Sequence, residues 1–167
     1  MNIPLILETD PVTYIIGTEA LEKSENKINK HKRIIVITDD NVEKFCLNIF
    51  RQKLPSVNID SVIVIKSGEG NKNIQQLTFI WNELTRLSAD RDDLIINLGG
   101  GVVTDIGGMA AATFKRGLQF INFPTTLLGM VDASIGGKTG IDFEGFKNQV
   151  GLFVNPECVI IDPIFLD

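Results

Sequence analysis

The chain is short of the residues that hold metals and form staples. One histidine and two cysteines stand among 167 residues, and Cys46 and Cys158 are far apart, without CxxC spacing. Nothing groups His, Cys and carboxylates at ligand spacing, so no zinc site is expected within the chain. Both cysteines read as reduced core residues of a cytoplasmic protein. His31 lies in NKHKR and reads as a solvated turn residue. Long apolar runs are missing too: the longest relevant uncharged stretch, between Arg116 and Asp132, contains Pro124 and is too short to cross a bilayer. The opening MNIPLILETDP has no basic segment and no long apolar stretch, so it does not read as a signal peptide. Positive charge is in deficit, with 16 Lys and Arg against 21 Asp and Glu and a net charge of −5. That excludes a general nucleic-acid binder, which needs a basic face. A local basic pocket stays open. At 44% hydrophobic and 22% charged, the remainder is ordinary for one globular domain able to bury a core without staples.

Short β-branched runs recur: IIVIT at 34–38, VIVI at 62–65, LIINL at 94–98, FINF at 120–123 and CVIID at 158–162. They are nearly continuous rather than alternating, as in strands buried on both faces. Helical patterns lie between them. In 73–88, Ile74, Leu77, Ile80, Trp81, Leu84 and Leu87 form one stripe, and Asn73 suits an N-cap. In 41–54, Val42, Phe45, Cys46, Ile49 and Phe50 suggest another. Residues 102–115 are small and suit close packing on a sheet. The alternation predicts βαβ units, a parallel sheet and helices on both faces. The first 17 residues, with Thr13–Ile16 β-prone, are expected to add a hairpin at an edge. From about 124 onward, glycines suggest loops and short strands.

LGGGVVTD at 98–105 sits where a buried strand hands over to a helix. Glycines there let the backbone turn sharply and let a ligand reach the main chain. The helix start offers free N–H groups and a positive dipole end, which suit a phosphate. The dinucleotide pattern GxGxxG would need glycine at 104, and this chain has Thr104. A tight turn without a ligand is the plain alternative. DASIGGKTG at 132–140 ends like a P-loop, but Asp132 stands at its leading glycine position and no strand leads into it, so that reading fails. Lys115, Arg116, Lys138 and Lys147 flank the glycine-rich loops. If those loops meet, an acidic chain gains a basic pocket for a small anion. Asp105 and Asp132 could bond hydroxyls, orient a lysine or cap helices. In SGEGNK at 67–72, Glu69 could accept from a ribose hydroxyl and Lys72 could bind a phosphate. TDDN at 38–41 holds the same position on another strand, with helix capping by Asp39, Asp40 or Asn41 as the alternative.

Taken in order, SGEGNK, LGGGVVTDIGGMAAATFKRG, FINFPTTLLGMVDASIGGKTGID and KNQVG resemble the amino-terminal domain of the 3-dehydroquinate synthase family. The resemblance runs from about residue 34 to 167. It implies a Rossmann-like α/β nucleotide-binding domain, here with an extra edge hairpin, spanning 1–167. It implies that Gly100, Gly101, Val102 and Asp105 hold the pyrophosphate of NAD, with Asp39, Asn41, Glu69 and Lys72 toward the adenosine end. Thr125 and Thr126 would also meet the cofactor, and Phe165 would begin a segment closing over the adenine. Lys147 would lie near the nicotinamide and the substrate. Asp132, Lys138 and Asn148 would bind a small phosphorylated sugar acid, and Arg116 would reach the substrate of a neighbouring subunit in a homodimer.

The family's reaction is implied to be the loss of phosphate from 3-deoxy-D-arabino-heptulosonate 7-phosphate, with NAD oxidising and then re-reducing one hydroxyl. Thr104 stands where the family's GGGVxGD has glycine, and IDFEG stands where a VNHPLG-like stretch is common. The family's second domain is mostly helical and carries zinc or cobalt on one glutamate and two histidines, none of which lies in residues 1–167. The expectation is therefore a domain that turns over no substrate alone. Three other readings remain open. They are another sugar-phosphate cyclase, a metal-dependent alcohol dehydrogenase, whose turn usually reads GGGSxxD, and a non-catalytic nucleotide-binding fragment.

Overall fold

A computed structural model describes residues 4–166. The chain opens with the expected antiparallel hairpin, β1 (Leu5–Glu8) with β2 (Thr13–Ile16). Four apolar runs form β3 (Ile34–Asp39), β4 (Ser61–Ile65), β5 (Leu94–Gly99) and β6 (Gln119–Pro124). A second hairpin follows, β7 (Lys138–Phe143) with β8 (Phe146–Phe153), and the last run forms β9 (Cys158–Ile161). Seven strands make one sheet in the order β1-β2-β9-β6-β5-β3-β4, with β7-β8 apart. Every neighbouring pair from β2 to β4 is parallel, and only β1 runs antiparallel, at an edge. The architecture is Rossmann-like α/β, as the alternation predicts.

Five helices connect the strands: α1 (Ala20–Ile28), α2 (Asp40–Phe45), α3 (Leu47–Lys53), α4 (Ile74–Arg86) and α5 (Gly101–Thr113). Successive strand residues point to opposite faces, so each continuous apolar run feeds two cores. Ile96, Leu98 and Phe123 meet Leu21 and Phe50 on one side, where Phe50 and Phe123 pack edge to face at 5.0 Å. Ile95 and Phe120 meet Leu77, Leu84 and Ile106 on the other.

The stripe expected over 73–88 is present: Leu77, Ile80 and Leu84 are fully buried, and the Asn73 side chain caps the helix by accepting from the Gln76 N–H. The stripe over 41–54 holds at Val42 and Phe50, which are buried, and at Cys46 and Ile49, half-buried against the same core, but not at Phe45. The helix is interrupted at Cys46, whose ψ of −27° and φ of −111° lie off the ideal helix. Past that irregularity the inward face falls on Leu47, Phe50 and Leu54, while Phe45 is exposed.

His31 is corrected as well. It is half-buried, and its Nε2 lies 3.1 Å from Glu157. Beside it, Asp93 is held at the start of β5. Its carboxylate accepts from Arg33 Nε at 3.1 Å and from the Asp90 N–H at 2.8 Å, while Arg33 also bonds the Leu87 and Ser88 carbonyls.

Both cysteines are free. Cys158 lies in the core, but Cys46 is only half-buried at its rim. Burial pushes the Cys158 thiol up to about 12 and raises that of Cys46. Because the thiolate is the reactive form, iodoacetamide is expected to label Cys46 first and Cys158 only once the chain unfolds. Equal labelling rates of the native chain by mass spectrometry would contradict this packing.

Candidate functional site

The glycine-rich turn joins β5 to α5 at the carboxyl end of a central strand. None of Gly99, Gly100 and Gly101 uses a positive φ, so the turn does not need glycine for its backbone angles. Their need is space. A Cβ on Gly99 would stand 2.5 Å from Val103, and one on Gly100 would stand 3.0 Å from Thr126 Cγ2. Gly100 takes the N-cap position and offers no side chain to cap it. The first intrahelical bond is that of Thr104 N–H to the Gly100 carbonyl. The N–H groups of Gly101, Val102 and Val103 therefore precede the helical ladder, at the positive end of a 13-residue helix.

Thr125 and Thr126 follow β6 beside this turn. The Thr125 N–H donates to the Gly99 carbonyl at 3.0 Å, and the Thr126 hydroxyl accepts from the Gly129 N–H. A π-helical turn over Gly129–Ala133 then carries Asp132. Such turns are frequent at functional sites, and the sequence reading missed this one. Ser134, directly after it, is buried with an unpartnered hydroxyl.

Within the region expected as loops and short strands, the β7–β8 hairpin forms. It brings Lys138 and Asn148 to a cavity of about 400 Å³ that Asp105 and Asp132 also line. Behind that cavity, Lys72 is 4% exposed. Its ammonium donates to Asp105 at 3.0 Å and to Asn148 Oδ1 at 2.6 Å, with Glu69 at 3.8 Å and Asp142 at 3.9 Å. Glu69 also lies 3.6 Å from the exposed Lys147. Burial pushes the Asp105 carboxyl above the ordinary aspartate range, against the downward pull of Lys72. Asp142 was missed by sequence reading. It sits in the unassigned IDFEG and accepts from the Asn148 N–H at 2.8 Å.

Other expected residues lie outside the lining of that cavity. Asp39 caps α2, accepting from the N–H groups of Asn41 and Val42, and Asn41 is exposed. Phe165 is buried in the core cluster that includes Met130. The pocket expected from Lys115, Arg116, Lys138 and Lys147 is corrected. Lys115 and Arg116 follow α5, whose 13 residues carry the chain about 20 Å from the glycine turn. Lys115 pairs there with Asp90 at 3.3 Å. Only Lys138 and Lys147 remain near the cavity.

Uncapped amides beside a Gly100 that carries no side chain fit the diphosphate of a dinucleotide. Among the described residues no group of three His, Cys, Asp or Glu could hold a metal ion, and no helix is long and apolar enough to cross a membrane.

Comparison with known proteins agrees with this geometry. Residues 62–167 match the family described as 3-dehydroquinate synthase N-terminal. The 3-dehydroquinate synthase of Clostridium acetobutylicum is 48% identical over 145 residues, covering 86% of this chain and 41% of that protein. That of Prochlorococcus marinus is 38% identical over 167 residues, covering 96% and 46%. The chain thus spans less than half the length of these curated relatives. Among solved structures, 2-epi-5-epi-valiolone synthase from Streptomyces hygroscopicus, with NAD+ and Zn2+ bound, superposes with a TM-score of 0.84 at 27% identity, covering 96% of this chain and 45% of that one. Glycerol dehydrogenase from Schizosaccharomyces pombe gives 0.62 at 25% identity, covering 91% and 37%. The chain belongs to the 3-dehydroquinate synthase family.

Proposed function

We propose that the chain is the NAD-binding domain of a 3-dehydroquinate synthase, with the cofactor diphosphate on the N–H groups of residues 101–103. The observation that carries this is the uncapped start of α5 beside a side-chain-free Gly100. Gly100, Gly101, Val102 and Asp105 take the diphosphate end, Thr125 and Thr126 close the turn beside it, and Asp39, Asn41 and Glu69 face the adenosine. Phe165, packed in the core cluster, takes the adenine end. NAD, when bound, accepts a hydride from one substrate hydroxyl and returns it.

The chain's own side chains then do the positioning. Lys138, beside Asp132 and Asn148, holds an anionic group of 3-deoxy-D-arabino-heptulosonate 7-phosphate, and Lys147 neutralises charge at the rim. Asp105 and Asp132 accept from hydroxyls. Fixing two reactants at one cavity replaces a bimolecular encounter with an oriented one. Arg116, remote from this cavity, serves the site of a partner subunit in a homodimer. The described residues contain no cluster of His, Cys, Asp or Glu able to hold zinc or cobalt, so the ligands for such a metal would lie outside them.

Titrating NAD into the chain by calorimetry tests the reading. Saturable one-site heat supports it, and no heat at the highest soluble NAD concentration overturns it. The structural similarity, stronger to a cyclase than to glycerol dehydrogenase, favours a cyclase over an alcohol dehydrogenase.

A further inference from the structure

We infer that Lys72 is a positioning residue that sets the hydrogen-bonding polarity of the cavity, rather than a group that touches the cofactor phosphates. The inference deepens the proposed function and rests on that reading for its ligand, but its geometry stands independently. The Lys72 side chain is 4% exposed, and its ammonium is engaged by Asp105 at 3.0 Å and Asn148 at 2.6 Å. An ammonium only donates. The Asn148 amide must therefore turn its oxygen toward Lys72, which leaves its NH2 group as the donor available to the cavity. By the same contact Asp105 commits Oδ2 to Lys72 and keeps Oδ1 as an acceptor. Both residues line that cavity. The cavity thus offers one fixed donor, suited to a ligand carbonyl, carboxylate or phosphate oxygen, and one fixed acceptor, suited to a hydroxyl.

The same contacts tie the hairpin to the rest of the molecule. The Asp142 N–H donates to the Lys72 carbonyl at 2.8 Å, and Asp142 accepts from the Asn148 N–H. Asn148 itself has a φ of +51°, a left-handed conformation that asparagine tolerates better than most residues. All eight residues of β8 are exposed, and the hairpin packs through β7, where Ile141 joins the core beside α5, so the Lys72 contacts add a polar anchor to that apolar one. Lys72 reaches the hairpin from the SGEGNK turn while binding α5 through Asp105. Cofactor-side and substrate-side residues then share one buried cation.

The test uses the isotope-labelled chain with Lys72→Met, Lys72→Arg and Asn148→Ala, without and with NAD. In wild type the Asn148 side-chain NH2 signals should be displaced from those of a free asparagine. In Lys72→Met they should return to the free position, and amide exchange over 138–153 should accelerate about tenfold, the loss expected for a charge-assisted hydrogen bond. Exchange in β3 and β5 should stay slow. Lys72→Arg should restore part of the protection. Asn148→Ala, which leaves the Lys72–Asp105 pair intact, should accelerate hairpin exchange similarly, and the double variant should add little to either single loss. Unmoved Asn148 signals in Lys72→Met, or losses that simply add, would overturn the inference. NAD affinity should fall about tenfold in Lys72→Met and partly recover in Lys72→Arg, a change of 1.4 kcal/mol. An NAD affinity that Lys72→Met leaves unchanged would also overturn it. If wild type binds no NAD, the proposed function fails while the exchange and side-chain signals still decide the role of Lys72.

Discussion

A chain carrying Gly100→Val is expected to bind NAD at least about tenfold more weakly than wild type, a loss of about 1.4 kcal/mol or more, while keeping its fold. Gly100 has φ −75° and ψ −170°, a backbone conformation open to any residue, so the substitution introduces no strain of its own. The nearest obstacle to a Cβ is Thr126 Cγ2 at 3.0 Å, the end of an exposed side chain that can rotate away. The isopropyl group would then crowd the turn between Thr126 and the N–H groups of residues 101–103. Calorimetric titration reads the affinity and thermal unfolding checks the fold. Wild-type affinity in a folded variant would show that the cofactor does not approach this turn. Thr126→Ser, which removes only a methyl, should leave binding within about threefold, because the hydroxyl that accepts from Gly129 is kept.

Arg33→Met should cost about 3 kcal/mol of unfolding free energy, since breaking a buried ion pair strands its partner. The Asp93 side chain is 1% exposed and Arg33 33%, so the figure sits at the low end of what burial predicts. Methionine also leaves the Leu87 and Ser88 carbonyls without their guanidinium donor. Burial works to raise the Asp93 carboxyl, but Arg33 and the Asp90 N–H outweigh it and hold the carboxyl below its ordinary 3.8. A carboxyl depressed on folding contributes stability above its unfolded value and loses it as pH falls through the folded one. Wild type should therefore lose this contribution below about pH 4, and Arg33→Met should lack that part of the acid slope. Urea unfolding at neutral pH and at about pH 3 measures both. A variant within about 0.5 kcal/mol of wild type, the range of ordinary surface changes, would contradict the buried clamp.

The parts of the fold that sequence reveals are those set by local periodicity. Ile74, Leu77, Ile80 and Leu84 repeat at helical spacing, and they form the buried face of α4. Continuous runs such as LIINL mark strands with two buried faces, and β5 is buried throughout. The face of 41–54 departs from its periodicity at two positions, because the irregularity at Cys46 brings Leu47 inward and leaves Phe45 outside, while Val42 and Phe50 stay buried. The β7–β8 hairpin was hidden by its own glycines. Gly140 and Gly151 face each other, and a Cβ on Gly151 would lie 2.1 Å from the Thr139 carbonyl oxygen. Those glycines serve close strand approach rather than a loop.

The candidate site was legible where one segment supplies it, as in the glycine turn. It was not legible where distant segments meet. Lys72 finds Asp105 across 33 residues and Asn148 across 76, and no spacing rule announces such a meeting. The local basic pocket misled for the opposite reason, since Lys115 and Arg116 are near the motif in sequence and a helix length away in space.

The central claim is that main-chain amides at the start of α5 receive the cofactor diphosphate. Following the backbone amide resonances of the chain during an NAD titration tests it most directly. The account predicts that the largest shifts fall on Gly101, Val102 and Val103, saturating with the calorimetric affinity. Saturable binding that leaves those three amides unmoved, with the shifts gathered elsewhere, would contradict it.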